Sequence, residues 1–289
     1  MSGVQQLTQN AIRDFLLTKQ ADGATRRTIS AHYGYHLRKF VKATSPATVA
    51  DITPGTIRGY LVELRTAGLS EHTVHGAART LKCFGRWLEA EGICKSPWQN
   101  VKMPKFPKLV LSPFSPDDVK ALLAACDSHR DTAIVLTLLD TGLRISELAA
   151  LTVDDIDLQT GAVTVRRGKG GKSRTVYAGA KTRRAITRLL RTQDGSALWQ
   201  STTGQPMLAR GIAAALKRVG ERAGVHPANP HRYRRSFAIA CLRSGMDVYS
   251  LQRLMGHAGL DVLKQYLALT EDDLQRSHAA HSPLDAMLK

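Results

Sequence analysis

The stretch GICKSPWQNVKMPKFPKLVLSPFSPDD, residues 92–118, decides how this chain of 289 residues folds. It holds Pro97, Pro104, Pro107, Pro113 and Pro116, which lack a backbone donor and cannot all lie in helix or in a central strand. Lys102, Lys105 and Lys108 alternate among them, so the segment reads as an extended connector carrying positive charge. Its end is sharp. Ser115 is a helix cap, Pro116 suits the first helical position, and Asp117 and Asp118 favour the first turn. The expectation is a domain over 1–100, a linker over 101–115 and a second domain over 116–289.

Working back from the connector, the first hundred residues read as four helices in a small bundle. One helix lies over residues 4–18. In TRRTISAHYGYHLRKFV, Ile29, Tyr33, Leu37 and Val41 fall four apart on one stripe, with Arg26, Arg27, His32, Arg38, Lys39 and Lys42 on the other faces. ITPGTIRGYLVELRTAG opens with Thr53 as cap and Pro54 behind it, and closes at Gly68. SEHTVHGAARTLKCFGRWLEAEG repeats Val74, Ala77, Leu81, Phe84 and Leu88 and stops at Gly92. Working forward, the second domain is mainly α with a small β-hairpin: GAVTVRRGKGGKSRTVYAG alternates at Val163 and Val165, turns through GKGG, and alternates again at Thr175 and Tyr177. The hairpin tip carries Lys169 and Lys172.

Lys and Arg number 41 against 24 Asp and Glu, a net charge of +17, which draws the chain to a polyanion. Nucleic acid fits better than an anionic membrane, because the cations are spread along the chain rather than gathered on one amphipathic helix. MSGVQQLTQN lacks the pattern of a secretory signal, and the most apolar stretch contains Asp140, Arg144 and Glu147, so no membrane span is expected. Cys83, Cys94, Cys126 and Cys241 form no C-x-x-C pair and read as reduced thiols of a cytoplasmic protein.

Several clusters could carry chemistry. TGLRISEL sets Arg144 and Glu147 three apart on one helix face; a surface ion pair is the ordinary explanation, yet an arginine inside so apolar a segment is costly without a task. HRYRRSF places His231 and Arg234 on one face just after Pro230, where a helix start rich in cations can hold an anion. LMGHAGLDVLKQYL, residues 254–267, sets His257 after a Met-Gly turn and Tyr266 nine residues later. Lys169 and Lys172 are equivalent by composition. His278 and His281 have ligand-like spacing but no third partner, and read as tail, so no metal or other cofactor is expected. Two arginines, a lysine, two histidines and a tyrosine, without a carboxylate cluster for Mg²⁺, suit phosphodiester chemistry: guanidiniums grip phosphate oxygens, a lysine or histidine moves protons, a tyrosine forms a phosphoester. With a pKa near 10, full ionisation of the tyrosine supplies only ~4 kcal/mol of the ~8–23 that enzymes commonly need. Most of the rate must therefore come from charge stabilisation and leaving-group protonation.

These motifs, in this order, resemble the tyrosine recombinase (phage integrase) family over nearly the whole chain, in a simple two-domain form without an arm-binding domain. The resemblance implies a helical core-binding bundle followed by a mixed α/β catalytic domain. It makes Arg144 and Arg234 the catalytic arginines, Glu147 the acidic partner, Lys172 the acid for the leaving 5′ oxygen, His231 a proton-transfer residue, His257 a ligand of the scissile phosphate and Tyr266 the nucleophile. The departures are Tyr233 and Arg235 where Leu and His are common, and Leu263 where Thr is frequent.

The implied activity is site-specific DNA recombination: a 3′-phosphotyrosyl intermediate, then strand exchange through a Holliday junction, for integration, excision or resolution. The implied partner is a duplex site with inverted half-sites, held by a homotetramer on two duplexes, with the two domains closing around DNA. The C-terminal tail after Tyr266, apolar at Leu284, Met287 and Leu288, would dock in trans; from the residues alone, a helix folded back on its own domain is the alternative. Base-reading residues are expected between Thr73 and Trp87 and between Arg210 and Arg222. Two rivals share many of these features: a type IB topoisomerase, acting as a monomer, and an idle DNA-binding protein, which has no reason to hold all six of Arg144, Lys172, His231, Arg234, His257 and Tyr266.

Overall fold

The computed structural model describes residues 7–105, 111–166 and 173–256, and the chain divides into two compact units, residues 1–109 and 110–289. Lys169, Lys172, His257, Tyr266 and the tail lie outside the described residues.

The first unit is helical. It contains α1 (Thr8–Ala21), α2 (Arg26–Thr28), a π-helical turn (Ile29–Gly34) that runs on into α3 (Tyr35–Thr44), α4 (Pro54–Thr66) and α5 (Glu71–Ala90). Thr25, Thr53 and Ser70 each accept the backbone N–H three residues on, as caps should. Phe15, Leu37, Phe40, Ile57, Leu81, Phe84 and Leu88 fill the core, where the Phe15 ring meets those of Tyr33, Phe84 and Trp87 edge-on. The π turn changes the expected stripe: Leu37 is fully buried, whereas Ile29, Tyr33 and Val41 are half-buried, and His36 and Phe40 turn inward instead. His36 packs on Gly76 of α5, where an added Cβ would lie 2.9 Å from its Nε2. The α1 helix begins at Thr8 and runs to Ala21, beyond the boundary expected from periodicity. From the connector, Val101 and Met103 pack on this core.

The second unit begins at α6 (Pro116–Ala124), where Ser115 and Asp118 form a reciprocal capping box. It continues through α7 (His129–Thr141), α8 (Ile145–Ala149), strands β1 (Ala162–Val165) and β2 (Arg174–Tyr177), α9 (Ala180–Leu190), α10 (Ala209–Ala223), α11 (Pro230–Arg243) and α12 (Val248–Met255). The strands pair antiparallel with Val163 opposite Val176 and Val165 opposite Arg174. Val163, Val165 and Val176 face the core, so Thr175 and Tyr177 form the outward set of β2. The apolar helix α7 is central: α9, α10 and α11 all pack on it. Leu122, Ile134, Leu138, Leu148, Ile186, Trp199, Leu216 and Tyr233 belong to one core, and the Trp199 indole donates to the Leu148 carbonyl at 2.7 Å.

Candidate active site

The site is built at the ends of helices. Gly142 closes α7 in the left-handed region (φ 60°), and a Cβ there would stand 2.1 Å from the Phe237 ring, so two independent constraints require glycine. The turn delivers Arg144 to the N-cap of α8. Three residues on, Glu147 accepts the Arg144 backbone N–H at 2.8 Å and its Nη1 at 2.9 Å. A second guanidinium approaches from β2: Arg174 donates from Nη1 and Nη2 to both oxygens of Glu147, at 2.9 and 2.8 Å. The Glu147 side chain is only 3% exposed. Burial would raise its pKa; the hydrogen bond from Arg174, with those from Arg144 and the charge of Arg174, outweighs it and holds the pKa at about 2.

The end of α12 organises the cations. Arg174 Nε donates to the Leu254 carbonyl at 2.7 Å, Arg234 Nη2 to that of Met255 at 2.6 Å, and Arg144 Nη2 to that of Gly256 at 3.2 Å. Arg234 Nη1 also reaches the Gly142 carbonyl at 2.5 Å. Terminal carbonyls lack intrahelical partners and carry the negative end of the dipole, so with Glu147 they offset the cost of gathering three guanidiniums here. Arg144, with a side chain 26% exposed, gives one donor each from Nη1 and Nη2 to protein acceptors. That leaves more than half of its donors for an anion.

The start of α11 separates its cations by task. Arg232 is held by the Ser112 and His226 carbonyls and by Asp118, and lies 4.2 Å above the Phe114 ring. It is therefore a brace between α11 and α6, and not one of the anion ligands expected from the HRYRRSF run. Tyr233 is core, its ring packed on Phe114. Arg234 turns into the cluster, and His231, exposed, lies one turn before it. Arg144, Glu147 and Arg234 are thus brought together. The residue missed in the sequence is Arg174. Its signal was present, since a period of two places it on the same face as the buried Val176.

Two outer faces carry the cations expected of a nucleic-acid surface. Along α5, His72, Arg79 and Arg86 are exposed and His75 and Lys82 half-exposed, a single stripe at helical spacing. On α10, Arg210, Lys217 and Arg218 are exposed.

The model of the phage integrase family matches residues 113–272, more than half of the chain. The chain belongs to that family. This integrase-family chain is 31% identical over 278 residues to the tyrosine recombinase XerA of Pyrococcus furiosus, covering 94% of the chain and 93% of the relative. It is 32% identical to tyrosine recombinase XerC 2 of Ralstonia nicotianae, covering 91% and 81%. Among solved structures, a XerA recombinase matches with TM-score 0.55 at 27% identity over 95% of this chain and 98% of that one. A lambda integrase dimer bound to a COC′ core site matches with TM-score 0.78 at 18% identity, over 92% and 78%, a likeness of fold. Among the described residues no helix is long and apolar enough to cross a membrane.

Proposed function

We propose that this protein is a site-specific DNA recombinase that cuts and rejoins strands through a tyrosyl ester at Tyr266. The observation that carries the reading is the convergence of Arg144, Arg174 and Arg234 on the last carbonyls of α12, immediately before His257 in the chain. Arg144 and Arg234 hold the non-bridging oxygens of the scissile phosphate as their charge builds up. The Tyr266 hydroxyl attacks phosphorus, and His231 receives its proton. The bond to the 5′ oxygen breaks, and Lys172 donates the proton that makes the leaving hydroxyl. His257 hydrogen-bonds the phosphate. Glu147 and Arg174 act as positioning residues for Arg144. The 5′ hydroxyl of a partner strand then attacks the phosphotyrosine, releases Tyr266 and conserves the bond, so strands exchange in turn through a Holliday junction without ATP.

The α5 and α10 faces grip the duplex on inverted half-sites, and a homotetramer holds two duplexes in the cytoplasm. The tail after Tyr266 docks in trans on a groove of about 780 Å³ lined by Leu139, Val176, Phe237, Met246 and Leu254, which suits its apolar Leu284, Met287 and Leu288. Integration of a mobile element and resolution of replicated DNA use the same chemistry. A nicked suicide substrate cut from DNA flanking the gene tests the reading. Wild type is expected to give a covalent adduct on a denaturing gel and Tyr266→Phe none; binding to a confirmed site without any adduct would overturn it.

A further inference from the structure

We infer that α9 is a second DNA-binding surface, which holds the backbone of a duplex segment other than the one in the active site; this rests on the recombinase reading above. Lys181, Arg184, Arg188 and Arg191 are all exposed and fall three, four and three residues apart, which places them on one face of the helix and its last turn. No acidic residue occurs from Ala180 to Arg191. Elsewhere on the surface cations meet carboxylates: Arg65 with Glu71, Lys120 with Asp117, Lys217 with Glu221 and Arg222 with Asp127. Among the described residues, none of the four α9 cations has a side-chain ion pair or side-chain hydrogen bond.

This arrangement works against the isolated helix. Neighbouring like charges three and four apart repel, and Lys181 lies in the first turn, where the dipole disfavours a cation. A polyanion along the face relieves both. The four side chains span a rise of ~15 Å, and a duplex of that length presents about nine phosphate charges. Three of the four are arginines, suited to bidentate contact with phosphate. The other exposed residue of the helix is Ala180, so the bulky apolar residues that a membrane surface requires are missing from this face. α9 packs chiefly on α7, whereas α10 packs on α6 and α8 as well as on α7.

The test uses the full chain. Biotinylated 30-bp duplex of arbitrary sequence is fixed on beads, loaded with protein and washed. A labelled, unrelated 30-bp duplex is then offered, and its capture is measured for wild type and for the combined variant K181Q/R184Q/R188Q/R191Q. The expected result is first-duplex binding within about twofold of wild type and capture of the second duplex reduced at least fivefold. Relief of repulsion keeps the melting temperature of the variant equal to that of wild type or raises it by up to about 3 °C, which shows that the fold is intact. The inference is overturned if wild type captures no second duplex or the variant captures as much. It is also overturned if first-duplex binding falls in step, because α9 would then belong to the primary grip. Failure of wild type to hold the first duplex at all would instead sink the recombinase reading.

Discussion

The arginines at the end of α12 and the cations along α5 are the same kinds of side chain under opposite constraints. Arg234 is only 7% exposed, and both terminal nitrogens donate to backbone carbonyls. Arg79 and Arg86 stand in water. A guanidinium fixed by carbonyls points its remaining donors in one direction, with little reorganisation left for the moment of reaction. An exposed one attracts any phosphate within reach and loses that attraction as salt rises. The same charge therefore does chemistry in one place and provides affinity in the other.

The largest effects should come from the cluster. Arg144→Ala or Arg234→Ala is expected to slow covalent adduct formation by roughly 10²–10³ while binding changes only severalfold. Arg234→Lys should recover little, since one ammonium cannot reproduce the fork that spans the Gly142 and Met255 carbonyls. Single-turnover cleavage on saturating DNA is the measurement. Equal losses in binding and in cleavage rate would erase the distinction between the two regions.

Next comes the support. Arg174→Ala leaves the buried Glu147 with Arg144 as its one remaining guanidinium partner, and breaking such a pair costs about 3–5 kcal/mol. The melting temperature should fall by at least about 6 °C. Cleavage should fall too, with Arg174→Lys recovering part of the stability and less of the rate. An unchanged melting temperature would show that this carboxylate does not need the second arginine.

Acid should separate the two units. His36 lies buried against Gly76, close to His32 and Tyr35; burial, with a smaller contribution from the charge of His32, lowers its pKa to about 4. The unfolded chain takes up this proton first, as pH drops below ~6.5, so the penalty grows from there down to the folded value and reaches about 2 kcal/mol by pH 5. Glu147 has the opposite chemistry. With its pKa held at about 2, its stabilising contribution is complete above the ordinary carboxylate value and is lost only as pH falls from there toward 2. Fluorescence of Trp87 and Trp98 reports the first unit and Trp199 the second. The first pair should lose stability between pH 6.5 and 5, with His36→Gln flattening the slope, while Trp199 holds. A first unit indifferent to this range would mean that His36 is protonated without cost.

Local signals explain why much of this was legible. Thr53-Pro54, Ser115-Pro116 and the stops at Gly68 and Gly92 mark helix ends through chemistry confined to a few residues, and the helices follow. Arg144, Glu147, His231 and Arg234 stood out because each sits at such an end. What escaped depends on distance. Nothing near Arg232 shows that Asp118, 114 residues away, occupies it, so its composition is indistinguishable from that of Arg234. Arg174 could be placed by strand alternation, but its partner Glu147 lies 27 residues back. The π turn at Ile29–Gly34 has no local signature, and it moves the buried stripe onto His36 and Phe40. Lys169 and Lys172 remain equal by composition, and the geometry of the described residues does not involve either.

The smallest effects belong to α5 one side chain at a time. If its stripe meets phosphates, each of Arg79→Ala, Lys82→Ala and Arg86→Ala removes about one counterion from the balance and lowers the slope of log affinity against log salt by about 0.9. The corresponding loss at moderate salt is only severalfold. Cleavage at saturating DNA should stay at the wild-type rate for all three, because Arg144 and Arg234 are positioned by Glu147 and by the carbonyls of Gly142, Met255 and Gly256. A variant that changes sequence preference rather than salt slope would mark a base-reading position, since a phosphate contact weakens all sequences alike. A variant that lowers the saturated rate would instead tie the helical unit to the chemistry, and the division of labour between exposed and buried cations would fail there first.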